Sequence, residues 1–273
     1  MIFDIAMPLT LLLVTLVAMF LSQKAGAKLK SSLEEREMTT RDVVLLAAGM
    51  AIVISIIALV PQMAIMVFFL FSYSSLLFII SYVFSNKRWY VSIVPPATFL
   101  LLYIFLRDTT LWSDYLVNVY GLIFATLIIL YIGGIFTWKT TLIFGGVLTL
   151  LDIVLVLGTG AMISALKQTE SLKLPFVVYI PYIPPIIREG RWIPMGLGLG
   201  DFFFAGLLAV QTWKRLGEKT AFISTIGMVV SFFAFATLLL NYGPIFFPGT
   251  LMIICGWAPV ALIGIIKARN QKR

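Results

Sequence analysis

Two carboxylates stand where carboxylates are costly. Of the twelve acidic residues in the 273-residue chain, Asp4, Glu34, Glu35, Glu37, Asp42, Asp108, Asp114, Glu170, Glu189 and Glu218 fall in polar breaks or at the ends of apolar runs. The other two, Asp152 in LTLLDIVLVLG and Asp201 in GLGLGDFFFAGLL, lie inside apolar runs. A carboxylate at membrane depth costs roughly 2.5–3.5 kcal/mol unless it is protonated, paired or wetted, so each is a candidate functional group. Two carboxylates brought together cannot both ionise readily and share one proton. One member can then activate water while the other protonates a carbonyl, the acid–base chemistry of aspartic proteolysis. The chain has no histidine, which excludes Ser/His nucleophilic catalysis, HExxH zinc sites and imidazole proton relays. The single cysteine, Cys255, forms neither an internal disulfide nor a CxxC pair. No metal and no cofactor is implied.

The elements that carry these acids follow from composition. The chain is 61% hydrophobic and 12% charged, with a mean hydropathy of +1.05. Soluble domains average about 45–50% apolar and about 25% charged, so this chain is solvated by lipid. At about 20 apolar residues per span, nine helices are expected, near 3–22, 43–60, 63–84, 90–106, 115–136, 140–158, 195–213, 220–240 and 248–267. The expected fold is an all-α, polytopic membrane protein of nine transmembrane helices. Residues 1–136 form five scaffold helices and 137–273 four helices bearing the acids, within a single integral membrane domain. The first stretch carries Asp4 and lacks a basic leader, so it reads as a span, not a cleaved signal. Pro95 and Pro96 predict a kink in the fourth span.

The net charge of +8 sits in the breaks between spans, a pattern that sets topology and does not form a nucleic-acid face. Fifteen of the 20 Lys and Arg residues fall on one side. The N-terminus is therefore expected outside, and Lys267, Arg269, Lys272 and Arg273 in the cytoplasm. The cluster Leu33-Glu34-Glu35-Arg36-Glu37 reads as a solvated loop. Short loops and missing extensions point to a prokaryotic plasma membrane.

Asp152 lies six residues before the end of the sixth expected span, and Asp201 six after the start of the seventh. A rise of about 1.5 Å per residue puts both roughly 9 Å below one surface on antiparallel neighbours, where they can meet. Gly196, Gly198 and Gly200 strip the expected helix start of side chains and permit close approach. The break from Thr159 to Ile193 is the longest, and it contains Val177, Val178 and Tyr179, β-prone residues between Pro175 and Pro181. That segment is either an interfacial loop anchored by Tyr179, Tyr182 and Trp192, or a strand edge that holds an unwound substrate.

Gly198-Leu199-Gly200-Asp201-Phe202 resembles the GxGD signature of the presenilin and signal peptide peptidase family. Asp152 to Leu157 resembles the stretch following that family's first catalytic aspartate. Leu174-Pro175-Phe176-Val177-Val178-Tyr179 is similar to the Phe-Pro-Ala-Leu-Ile-Tyr segment of presenilin's loop. Order, the 49-residue spacing of the acids and nine spans agree, over about residues 140–267. The resemblance implies an intramembrane-cleaving aspartyl protease with Asp152 and Asp201 catalytic. Two motifs depart from the family. Leu151 stands where a tyrosine usually precedes the first acid, and Pro-Ala-Leu at the last span appears as Pro248-Gly249-Thr250-Leu251, preferred to Pro259-Val260-Ala261-Leu262 because it opens that span. The family gives this motif the shaping of the site and the grip on substrate backbone. Prepilin peptidases also use GxGD, with fewer spans and a second acid early in the chain, and fit less well. The charge bias gives the orientation of signal peptide peptidases, hence transmembrane substrates that are type II proteins or remnant signal peptides. The lipid bilayer is the other partner; no obligatory subunit is implied and a homo-oligomer stays open. The competing classes are a proton-coupled transporter or channel built on the buried acids, and an inactive relative that binds membrane segments.

Overall fold

A computed structural model describes residues 2–33, 37–188, 191–243 and 246–270. Glu34, Glu35 and Arg36 of the charged cluster, with Lys272 and Arg273, lie outside the described residues. In chain order the elements are α1 (Ala6–Leu33), α2 (Thr40–Ile56) with a 3-10 turn at Ile57–Leu59, α3 (Gln62–Phe84), α4 (Trp89–Ser92), α5 (Val94–Leu106) and α6 (Val117–Ile135), entered through a π-helical turn at Leu111–Leu116. Next come α7 (Trp138–Ile153), prolonged by a π-helical turn at Val154–Gly158, and α8 (Ala161–Glu170). The strands β1 (Val177–Pro181), β2 (Ile187–Arg188), β3 (Arg191–Trp192) and β4 (Pro194–Gly198) lead into α9 (Leu199–Leu216), α10 (Glu218–Tyr242) and α11 (Gly249–Asn270).

Among the described residues, seven stretches are long and apolar enough to cross a membrane: Ala6–Gly26, Gln62–Phe84, Trp89–Leu106, Leu111–Ile135, Trp138–Gly158, Glu218–Tyr242 and Gly249–Asn270. The chain is an all-α polytopic membrane protein. Large apolar side chains such as Phe68, Phe71 and Phe105 stand exposed on its outer face, as lipid solvation requires.

The two expected spans outside that set differ in character. α2 has 17 residues, opened by a capping box in which Thr39 and Asp42 satisfy each other's backbone amides. α9 is the central helix: it packs against α1, α6, α7, α10 and α11, and every residue from Phe202 to Thr212 is buried. A helix enclosed by protein can carry polar groups if each finds a partner. Gln211 Nε2 donates to the Gly133 and Phe136 carbonyls at 3.0 and 2.9 Å, closing the end of α6, and Trp257 Nε1 donates to Thr212 Oγ1 at 2.9 Å.

Two local expectations take a different form in the structure. Pro95 and Pro96 act as a break: they lie in the first turn of α5, where a missing N–H costs nothing, and the fourth span is split into α4 and α5 just before them. The seventh helix begins at Leu199, not near Met195, because residues 194–198 form β4. Gly196 and Gly198 therefore serve a strand and a cap and do not line a helix–helix face. The 136/137 division falls on the turn where Thr137 caps α7, and α9 packs between helices from both sides of it, within a single integral membrane domain.

Close helix contact instead uses other glycines. Gly227 of α10 and Gly256 of α11 meet backbone to backbone, and a Cβ on Gly256 would overlap the Gly227 carbonyl. Ser231 Oγ donates across the same seam to the Met252 carbonyl at 2.7 Å. Small residues are what allow such approach in lipid, where packing supplies the association. Gly256→Ala is expected to lower stability by about 1–3 kcal/mol, read as a fall in the melting midpoint of the detergent-purified protein. Gly49→Ala, which meets nothing within 4 Å, should leave the midpoint unchanged or raise it.

Candidate active site

Asp152 lies in the last regular turn of α7. Directly after it the helix widens into the π-helical turn Val154–Gly158, and Val154 N–H is shared between the Leu150 and Leu151 carbonyls. Such turns interrupt the regular ladder and are frequent at functional sites.

Asp201 is positioned by a helix start. Gly198 is the N-cap of α9 with extended backbone (φ −67°, ψ 147°), so Asp201 occupies the third helical position. A carboxylate there reaches back to the N-cap amide, and the Gly198 N–H lies against Asp201. A Cβ on Gly198 would come to 3.4 Å from Asp201 Oδ2. Leu199 N–H donates to the Phe176 carbonyl at 3.1 Å, pinning the helix start to the strand region.

The third element is the start of α11. Pro248, Gly249 and Thr250 are buried, and Leu251 is partly buried. Thr250 Oγ1 donates to Asp152 Oδ2 at 2.7 Å, and Thr250 N–H points to the same oxygen at 3.3 Å. Gly249 sits against the other acid: a Cβ there would lie 2.5 Å from Asp201 Oδ1. One dipeptide of α11 thus touches both carboxylates. The two acids, both partly accessible, open into one cleft of about 90 Å³. Its walls are apolar, from Ala47, Met50, Ala51 and Ile54 of α2 to Leu148, Leu151 and Leu155 beside Asp152 and Met162 of α8, with Gly198 and Gly200 at the mouth of α9. A water in the liquid takes about 30 Å³, so the cleft has room for the water that hydrolysis needs. Among the described residues no three His, Cys, Asp or Glu side chains come together to hold a metal.

The β-prone segment is a strand, but its edges are taken. β1 pairs antiparallel with β4, with Val177 opposite Gly198, Tyr179 opposite Gly196 and Pro181 opposite Pro194. Two prolines cannot exchange ladder bonds, so alternation gives the bonded pairs to Val178–Leu197 and Ile180–Met195. Tyr179 N–H then faces away from β4, and Asn118 Oδ1 of α6 accepts it at 2.7 Å. Val178 is fully buried, beside Gly121 of α6, where a Cβ would come to 3.0 Å from it; Pro175 lies 3.6 Å from the same point. Pro175, Val177, Val178 and Tyr179 therefore form an inner strand, and they do not offer the open edge expected of them. The outward backbone groups belong to β4 at Gly196, where the Tyr179 ring lies 3.0 Å from where a Cβ would be.

The rest of the loop is tied down by side chains near the ends of neighbouring spans and in the turns between them. Trp112 Nε1 and Tyr103 Oη donate to the carbonyls of Lys173 and Leu172 at 2.8 and 2.9 Å. Lys173 Nζ bonds Asp108 at 3.3 Å and holds that carboxyl below its usual range, with Arg107 adding to it. Burial, with the Glu170 charge, pushes the Tyr179 phenol up. Asp4, read from sequence only as a span-end acid, is fully buried. It accepts from Ala6 N–H and Met7 N–H at 3.0 and 3.1 Å, and from Ile183 N–H at 3.0 Å, clasping the loop to the start of α1. Asn118 and Asp4 are the residues that reading the acids alone missed. Asn118 was detectable as an amide inside the apolar run VNVYG.

Compared with protein-family models and with curated proteins, the chain matches none of either. What the fold and the site define is a class: a polytopic α-helical membrane protein with two carboxylates meeting in an apolar cleft.

Asn118→Ala leaves the Tyr179 amide without its acceptor, and an orphaned buried donor costs about 1–3 kcal/mol. Hydrogen exchange at Tyr179 should accelerate about tenfold or more while amides of α10 keep their wild-type rates.

Proposed function

We propose that this chain is a nine-span intramembrane aspartyl protease of the presenilin and signal peptide peptidase type, with α2 and α9 as the two further spans. The observation that carries the reading is the meeting of Asp152 and Asp201 in one apolar cleft, with Thr250 bonded to the first and Gly249 making room for the second. Two like charges in such a place are costly, and structural need supplies no reason for them. As a proton-sharing pair they can activate water to hydrolyse an amide, with neither a metal nor a nucleophilic side chain.

A transmembrane helix hides its peptide bonds in i→i−4 hydrogen bonds, so the substrate must be unwound at the cleft. The β4 edge at Gly196, two residues before the cap of α9, can take up an extended backbone by strand addition. Pairing there delivers the chain beside Asp201. The charge bias favours an N-terminus outside and a cytoplasmic tail, in the plasma membrane of a prokaryote. That polarity suits type II membrane segments and remnant signal peptides, cleaved without a partner subunit.

The test is cleavage of a labelled type II transmembrane substrate in vesicles by the purified chain. Asp152→Ala and Asp201→Ala should each lower specific cleavage by at least about 10²–10⁴-fold while the melting midpoint stays within a few degrees of wild type. Gly249→Ala, which drives a methyl into Asp201, should lose about tenfold or more. Intact substrate with wild type, together with proton or solute flux, would replace the protease by a transporter.

A further inference from the structure

We propose that Thr250 is a positioning residue for this reaction, its hydroxyl setting Asp152 as the member of the pair that takes the proton from water. The inference rests on the protease reading and deepens it. Leu151 brings no hydroxyl to the cleft, and among the residues lining it Thr250 is the only uncharged one with a polar side chain. Thr250 is 4% exposed, so its rotamer is fixed by packing. Both of its donors, Oγ1–H at 2.7 Å and N–H at 3.3 Å, converge on Oδ2 of Asp152 and take up none of the capacity of Oδ1.

Donors aimed at a carboxylate favour its charged form, and the short one is charge-assisted. Among the described residues that line the cleft, the one titratable group besides Asp152 is Asp201 of α9; α2, α8 and α11 contribute uncharged side chains to it. Asp201 therefore carries the pair's proton. Asp152 accepts a proton from water as the water oxygen bonds to the scissile carbonyl carbon, and Asp201 gives its proton to the carbonyl oxygen. The tetrahedral diol then collapses: Asp152 passes its proton to the amide nitrogen, the C–N bond breaks, and one diol proton returns to Asp201. Carboxyl and amine leave, and the pair is restored.

The experiment measures kcat and KM against pH for wild type, Thr250→Val and Thr250→Ser, with melting midpoints as a check on folding. Valine keeps the shape and removes the donor. Its kcat should fall about 10–100-fold with KM changed less than about threefold, and the acid limb of the kcat profile should move up by about one pH unit. Serine keeps the donor and should retain the wild-type acid limb whatever the lost methyl does to rate. Wild-type rate and profile in Thr250→Val, movement of the alkaline limb alone, or a serine variant that behaves like valine would overturn the role of Thr250 and leave the protease reading standing. A folded wild type that leaves the substrate intact overturns both.

Discussion

Everything in this molecule follows from the cost of placing two carboxylates side by side in an apolar cleft. Neither acid can be fully hydrated there, and like charges so placed repel. The pair persists because surrounding groups are arranged for it. Thr250 gives Asp152 two donors, the capping position of α9 gives Asp201 a backbone amide, and Gly249 yields the volume that Asp201 occupies. Three helices from distant parts of the sequence must therefore be fixed relative to one another, to about 0.5 Å for a working constellation. Buried α9 does this at the centre, and the glycine seam between α10 and α11 fixes the outer wall.

The short sheet extends this constraint toward the surface. β4 runs directly into the cap that aims Asp201, so a shift of the strand is a shift of the acid. β1 holds β4 in register; Asn118 and Gly121 of α6 hold β1; Asp4 clasps the following loop to the start of α1. Among the scaffold helices, α2 lines the cleft directly with apolar side chains, while α1 and α6 reach the two acids through hydrogen bonds to the strand and loop. The same arrangement turns the backbone groups of Gly196 away from β1.

Much of this was legible in the sequence, for a physical reason. Charge is so scarce in a lipid-solvated chain that Asp152 and Asp201 stand out individually, and the Pro248–Leu251 stretch lies where it should to reach them. What could not be read is what depends on the third dimension. A run such as PMGLG carries no period that separates a strand from the first turn of a helix, so β4 was assigned to α9 and its glycines to helix packing. β-propensity marks Val177 to Tyr179 as a strand and not which neighbours cover it, so neither an interfacial loop nor an open edge anticipates a strand held between β4 and α6. The bond from Thr250 to Asp152 spans 98 residues, and no spacing rule connects them.

The account stands or falls on whether Asp152 and Asp201 together grip a tetrahedral centre. The direct measurement is binding of a transmembrane peptide whose scissile amide is replaced by a hydroxyethylene group, which imitates the diol and cannot be cleaved; transition-state mimics bind about 10²–10⁸-fold more tightly than substrate. Wild type is predicted to bind it at one site per chain at least a hundredfold more tightly than the parent peptide, with Asp152→Ala and Asp201→Ala each abolishing that preference. Equal affinity for the two peptides in folded wild type, or a preference that survives in either variant, would contradict the account.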